Sequence, residues 1–395
     1  MYTDYVYTPV YERGKKIRYL LQMNGIGSFI YYLSTMFADF VIGCVIVVPN
    51  ILLVYFVYMS KYKIELWELQ TELGKMILWI CPVVCQQYLI GWMFTDQQKA
   101  SKFTIIFNML LLVTIMLYFV GPFKDAVWFR WVYSIIFPTP GIFYTTVSNA
   151  LNYAQEGKPA NNPLVLNNLE QNICLVISFV FYFVMNIVID RTKYRLGKDL
   201  SYDKGALERH TNVFDQDSLD REVQRQESAE GSNDAIQAAG IKKVFNNKAG
   251  NFFALKGTTF SLRQDEILGL LGPNGAGKST TFNILSAYLR RSDGDIKLKG
   301  KNFDHLHAFF EETGVCFQDD ILWDDLDVQT HLKIFSYIKG VPTQIMQSWM
   351  RLMYLDNFKK TASSQLSSGM KRKLCIIMGM SCNPKYKFLD EPSTG

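Results

Sequence analysis

Histidine is scarce: four in 395 residues, and none stands beside a cysteine at the spacing a zinc site requires. His305 and His307, one leucine apart, do not make a ligand set alone. Cysteine does not form a framework either. The seven are scattered, with Cys44, Cys81, Cys85 and Cys174 in apolar segments and Cys316, Cys375 and Cys382 in polar ones. They read as small buried hydrophobes with reduced thiols. A strong charge of one sign is missing too. A net charge of +5, with no basic stripe, excludes a nucleic-acid partner. The opening "MYTDYVYTPVYERGKKIRYL" is polar and basic, unlike the apolar core of a signal peptide.

Long apolar runs are abundant, but only up to about residue 190. Phe29–Met59, Met76–Phe94, Phe103–Val120 and Ile173–Ile189 are each apolar enough to cross a bilayer. The first would be about 46 Å long as a helix, too short for two spans and a turn, so it reads as one tilted helix bent at Pro49. An even number of crossings places both flanks on one side. Arg13, Lys15, Lys16 and Arg18 precede the first span, while Arg191, Lys193, Arg195 and Lys198 follow the last, marking that side as cytosolic. Around Pro138-Thr139-Pro140 each apolar arm is too short to cross. The pair reads either as a re-entrant hairpin near 126–150 or as helices lying on the surface. Asp39, well inside the first span, belongs on a substrate path or serves to hold helices together. Tyr11–Gly25 reads as one amphipathic helix stopped by Gly25, either resting in the headgroups or acting as a lever on a cytosolic motor.

Residues 191–235 are charged and poor in apolar side chains, a solvated linker with a short helix expected at Leu219–Arg225. Past it stands "EILGLLGPNGAGKSTTFNIL". An expected strand, Ile267–Leu271, is followed by G-x-x-x-x-G-K-S at Gly272–Ser279 and then a helix. Gly272, Gly275 and Gly277 allow a tight turn whose N–H groups face phosphate oxygens. Lys278 supplies a mobile positive charge and Ser279 a hydroxyl for Mg²⁺. Gln318 follows a second expected strand. Leu366–Ser367–Ser368–Gly369 opens a helix with Leu374, Ile377 and Met378 inward, and taken alone is an ordinary N-cap. Asp390 and Glu391 end a third expected strand, "YKFL".

This order of phosphate loop, glutamine loop, LSSG helix and strand-Asp-Glu resembles the ATP-binding cassette (ABC) family from Ile236 to the last residue. The resemblance implies an α-helical multi-span membrane domain (28–190, about four spans) behind a cytosolic segment (1–27). An α/β P-loop NTPase domain, the ABC ATPase (236–395), then follows, truncated at its C-terminus. It implies ATP and Mg²⁺ as cofactors. Phe245 would stack on adenine, and Gly272, Pro273, Asn274, Gly275, Ala276, Gly277, Lys278, Ser279 and Thr280 would cradle the phosphates. Ser279, Gln318 and Asp390 would serve the metal, and Glu391 would be the general base, with Gln318 at the attacking water. Leu366, Ser367, Ser368 and Gly369 would cover the γ-phosphate held by a second cassette.

The signature departs from the family pattern in reading LSSGM, and Lys387 interrupts a strand expected to be apolar. A D-loop aspartate and a switch histidine would be expected after Gly395, so the resemblance implies an incomplete chain that is inactive alone. "YYLSTMFADF", "KMILWICPVVCQQYLIGWMFTDQQKAS" and "GMKRKL" are similar to the A subfamily, the lipid exporters. Implied partners are a lipid substrate, the membrane and a second ABC half, with the nucleotide-binding domain in the cytosol. The function expected is ATP-driven lipid transport. The alternatives are a degenerate subunit that binds nucleotide without transporting, or a fragment with no function of its own.

Overall fold

A computed structural model describes residues 2–62, 66–120, 127–142, 146, 168–193, 234–247, 250–302, 312–381 and 383–393. The linker with its expected Leu219–Arg225 helix, His305, His307 and Cys382 lie outside the described residues. Two compact units result, residues 1–22 with 26–192 and residues 23–25 with 193–395. The other six cysteines are free.

The first unit is helical: α1 (Tyr2–Gly14), α2 (Ile17–Met23), α3 (Ser28–Tyr62), α4 (Leu66–Gly91), α5 (Gln97–Val120), α6 (Val127–Ile136) and α7 (Asn168–Lys193). The single helix expected over Tyr11–Gly25 is two. Lys16 takes φ 61, and α1 ends before it. A like-charged Lys15-Lys16 pair beside Arg13 gives little reason to continue the helix. Gly25 does stop α2, at φ 92, with the Ile26 N–H closing on the Leu21 carbonyl at 3.0 Å.

Among the described residues three stretches are long and apolar enough to cross a membrane: Ser28–Asn50, Gln70–Gly91 and Leu169–Lys193. The expected first span is one continuous helix through Pro49. Phe103–Val120 lies on α5, whose side chains are described only to Leu111. On α7 the stripe Val176, Val180, Val184 and Val188 is about half exposed, a face suited to acyl chains rather than water. Inside, several buried polar groups are paired. Arg18 and Asp190, both fully buried, meet at 2.6 Å, and the Arg18 guanidinium also donates to the Ile26 carbonyl. The Tyr88 hydroxyl donates to Asp39 at 2.5 Å, tying α4 to α3. At the end of α6 the Ile136 carbonyl accepts from Gln86 of α4 and from Tyr182 of α7, and the Ile135 carbonyl accepts from Ser178. Helix-end carbonyls without water need such donors.

The second unit carries two sheets. The larger is antiparallel, in the order β2-β1-β3-β4, from β1 (Asp234–Asn247), β2 (Gly250–Arg263), β3 (Asp293–Leu298) and β4 (Lys301–Asn302). The smaller pairs β5 (Thr313–Cys316) with β6 (Tyr386–Leu389) in parallel. Helices α8 (Lys278–Leu285), α9 (Val328–Lys339), α10 (Thr343–Leu352) and α11 (Ser368–Met380) complete it. Leu374, Ile377 and Met378 do face the core. In β6, Tyr386 and Phe388 are buried while Lys387 and Leu389 are exposed, so the lysine sits on the outer face of a half-buried strand. Helix α11 lies unusually close to β5: a Cβ on Gly379 would stand 2.7 Å from the Val315 carbonyl.

One expected strand is not formed. Ile267–Leu271 pairs with neither sheet, and Ile267 and Leu271 are almost fully exposed. An apolar run becomes a buried strand only where neighbours cover it on both sides. The sequence supplies the run, but the described sheets do not supply the neighbours.

Candidate functional site

The phosphate-loop segment takes the backbone its glycines permit. Gly275 and Gly277 have φ 84 and 87. A side chain at Gly277 would also collide with β2, its Cβ 2.6 Å from Leu255 Cδ2 and 2.8 Å from the Ala254 carbonyl. Gly277 caps α8, whose first N–H groups have no partner within the helix. Lys278 Nζ donates to the Gly272 and Pro273 carbonyls at 2.7 and 3.0 Å, so its charge lies over the loop itself. Pro273, Asn274, Ala276 and Ser279 are exposed and Thr280 is half-buried.

The parallel pairing of β5 and β6 sets Cys316 opposite Leu389, so both strands deliver their C-terminal residues to the same edge. The Asp390 N–H extends the ladder, bonding to the Cys316 carbonyl at 2.9 Å. Two residues past the end of each strand, the Gln318 side-chain Nε2 donates to Glu391 Oε2 at 3.3 Å. Residues far apart in sequence thus meet. Helix α8 reaches the same edge, with Phe282 edge-on to Phe317 at 6.0 Å between ring centroids. Glu391 turns the chain sharply at φ 44, a costly value for a residue with a side chain.

The signature residues stand at the start of α11. Leu366 is buried, the Ser367 hydroxyl accepts from the Met370 N–H as N-cap, and Ser368 and Gly369 open the first turn. Phe245 lies on β1 opposite Phe252, with Lys243 Nζ 5.3 Å from its ring centroid.

Arg372, on α11, was not legible as a site residue. Its guanidinium is buried and donates to the carbonyls of Phe317, Gln318, Asp390 and Glu391. In sequence it is one basic residue of "KRK" behind an N-cap, and such residues normally face water. A hint is that it falls three positions before Cys375, which shares its face of the helix and is buried.

Among the described residues no three His, Cys, Asp or Glu gather closely enough to hold a metal. The donors present are oxygens: Asp390, Glu391, the free amide oxygen of Gln318 and the Ser279 hydroxyl. That set suits Mg²⁺, which binds through one or two carboxylates and takes its remaining ligands from phosphates and water. Burial raises the Asp390 pKa above its usual value; the neighbouring Glu391 adds to this and Arg372 opposes it. A bound cation would relieve that strain.

A carboxyl with a raised folded pKa weakens the fold once ionised. Asp390 should therefore cost stability as pH rises above the unfolded carboxyl value of about 3.9, up through its raised folded pKa. We expect Asp390→Asn to melt higher than wild type at pH 7 without nucleotide, in scanning calorimetry, with the gap closing as pH falls toward 4. A lower melting point for the variant would contradict this.

Residues 255–394 match the family model described as ABC transporter. The A family member 8 ABC transporter of Dictyostelium discoideum is 31% identical over 269 residues, 66% of this chain and 31% of that protein. Residues 255–394 match the ABC transporter domain, and the chain is similar to A-family ABC transporters over up to two thirds of its own length. The match to member 8 is longer than the domain, so the resemblance extends beyond the cassette. The human cholesterol transporter ABCA5 is 36% identical over 169 residues, 41% of this chain and 10% of that one. Among solved structures, the dimeric structure of a bacterial ABC transporter cassette covers 40% of this chain and 74% of its own at 20% identity, with a TM-score of 0.38. The chain spans between a tenth and a third of the length of these curated relatives. As an ABC domain behind apolar helices, it has the fold class expected from sequence: a membrane-type helical region followed by a P-loop ATPase.

Proposed function

We propose that the chain is part of an ATP-driven lipid transporter, with Mg²⁺-ATP hydrolysed in the cytosol. The observation that carries this is the meeting of Gln318 and Glu391 at one strand edge, beside the helix that leaves the phosphate loop. Lys278 and the N–H groups of the loop bind the phosphates, while Asp390 and Ser279 would hold Mg²⁺, which when bound would supply positive charge to the phosphoryl group. Glu391, oriented by the Gln318 amide, takes a proton from the water that attacks the γ-phosphorus as the bond to ADP breaks. The signature Leu366–Gly369 acts on a second cassette, in a partner half. Phe245 holds adenine. The basic flanks around Arg18 and Lys193 keep both ends of the helical unit cytosolic, and α6, the described first arm of the expected hairpin, is bonded inside the bundle. The lipid class is supported by the exposed valine stripe on α7 and by the named activity of the cholesterol transporter relative.

Reconstitution in phosphatidylcholine vesicles with a headgroup-labelled lipid, alone and with a second ABC half, tests this. We expect Mg²⁺-ATP to change the fraction of label reachable by an external quencher. The second reading is a subunit that binds nucleotide without transporting, and the exposed Ser368 in place of a signature glycine favours it. Retained ATP binding with no movement of label in either preparation would decide for that reading.

A further inference from the structure

We propose that Arg372 is the positioning residue that fixes the carboxylate edge of the nucleotide site to the signature helix. This rests on the nucleotide-binding reading above. Helix α11 does two things within 13 residues. Its first turn carries Ser368 and Gly369, and one turn later Arg372 enters the body of the unit. The guanidinium fork spans both strand ends at once, Nη1 to the carbonyls of Phe317 and Gln318 and Nη2 to those of Asp390 and Glu391. Four backbone acceptors from two parallel strands are thereby held by one planar group, which a lysine cannot reproduce. Asp320 stands 3.7 Å from Nη1, beyond hydrogen-bond reach, and the Asp390 carboxyl also feels this charge. The four carbonyls are the groups that the guanidinium bonds directly.

Three features make the arrangement a positioning device rather than plain packing. Glu391 sits at φ 44, and the bond from Arg372 to its carbonyl holds that strained turn closed. Asp390 and Gln318, the residues offered to Mg²⁺, supply two of the other three carbonyls. The helix itself cannot shift away freely, because Gly314 and Gly379 bring β5 and α11 into backbone contact. Movement at the signature turn is thus transmitted through one residue to the magnesium side of the same cassette.

The test uses the whole chain in detergent and ATP as the probe, titrated calorimetrically with Mg²⁺ and with EDTA. Wild type should bind ATP more tightly with Mg²⁺. Arg372→Met should keep its EDTA affinity within about twofold, since Lys278 and the loop are untouched. It should lose the Mg²⁺ enhancement by ~10-fold or more, as expected when a charge-assisted contact is lost. Arg372→Lys, which keeps the buried charge, should recover part of the enhancement at a wild-type melting temperature. If Arg372→Met does not fold, the lysine variant decides by the same ratio. A full enhancement in whichever variant is folded overturns the proposal, as does a parallel loss with and without Mg²⁺, which would mark Arg372 as merely structural. A wild-type chain that shows no Mg²⁺-dependent ATP binding overturns the nucleotide reading itself, and the proposal falls with it.

Discussion

Glu391→Gln should bind Mg²⁺-ATP as wild type does and fail to turn it over. The glutamine keeps the shape of the side chain and its place beside Gln318, but it cannot accept the proton of the attacking water. General-base assistance is worth roughly 10²–10⁴ in rate, so hydrolysis should fall by that factor while the dissociation constant for ATP stays within a few-fold. The measurement is phosphate release from the assembled transporter, chain plus second ABC half, alongside equilibrium binding. The contact between Gln318 and Glu391 is the structural reason to expect so clean a division. It sets the carboxylate beside a neutral amide, a contact that a glutamine side chain can also make. Hydrolysis by the variant at wild-type rate would remove Glu391 from the chemistry. Loss of ATP binding would assign it a structural role.

Lys278→Ala should do the opposite, weakening binding before chemistry is reached. Without nucleotide the ammonium bonds to the carbonyls of Gly272 and Pro273, two acceptors of its own loop. Phosphate oxygens are better partners because they are ionised, and each such bond contributes ~1.5–3 kcal/mol. Losing even one weakens ATP by roughly 10- to 150-fold. Titration of the chain with ATP in EDTA isolates this effect from the metal. Lys278→Arg should not rescue it, because a planar fork does not fit where a compact charge bends back over the loop. Unchanged affinity in Lys278→Ala would sink the assignment of the loop.

The motifs that could be read from sequence are those whose chemistry is local. Gly275 and Gly277 need left-handed backbone, and their spacing shows that in any fold. Ser367 caps a helix because a hydroxyl before an apolar periodicity does so anywhere. Gln318, Asp390 and Glu391 were found by their order along the chain, although the contact between them depends on β5 and β6 running parallel. Arg372 escaped because its role consists of carbonyls supplied by two strands, and no side-chain pattern records a carbonyl. The same reason misled the reading of Ile267–Leu271. Its apolar run is genuine, but a strand is a relation between segments, and among the described residues it has no partner strand. The break at Lys15-Lys16 was missed because hydrophobic periodicity runs across it unbroken, and only backbone geometry exposes it.

The ion pair between Arg18 and Asp190 joins residues separated by 172 positions. A ribosome makes them in that order. At roughly 5–20 residues per second, about 9–34 s pass between the appearance of the cation and that of its anion. Through that interval α2 exists without the counter-charge it is buried with in the finished bundle. Its guanidinium must be kept in water or against lipid phosphates until α7 has been inserted. Closure of this ion pair therefore waits for α7.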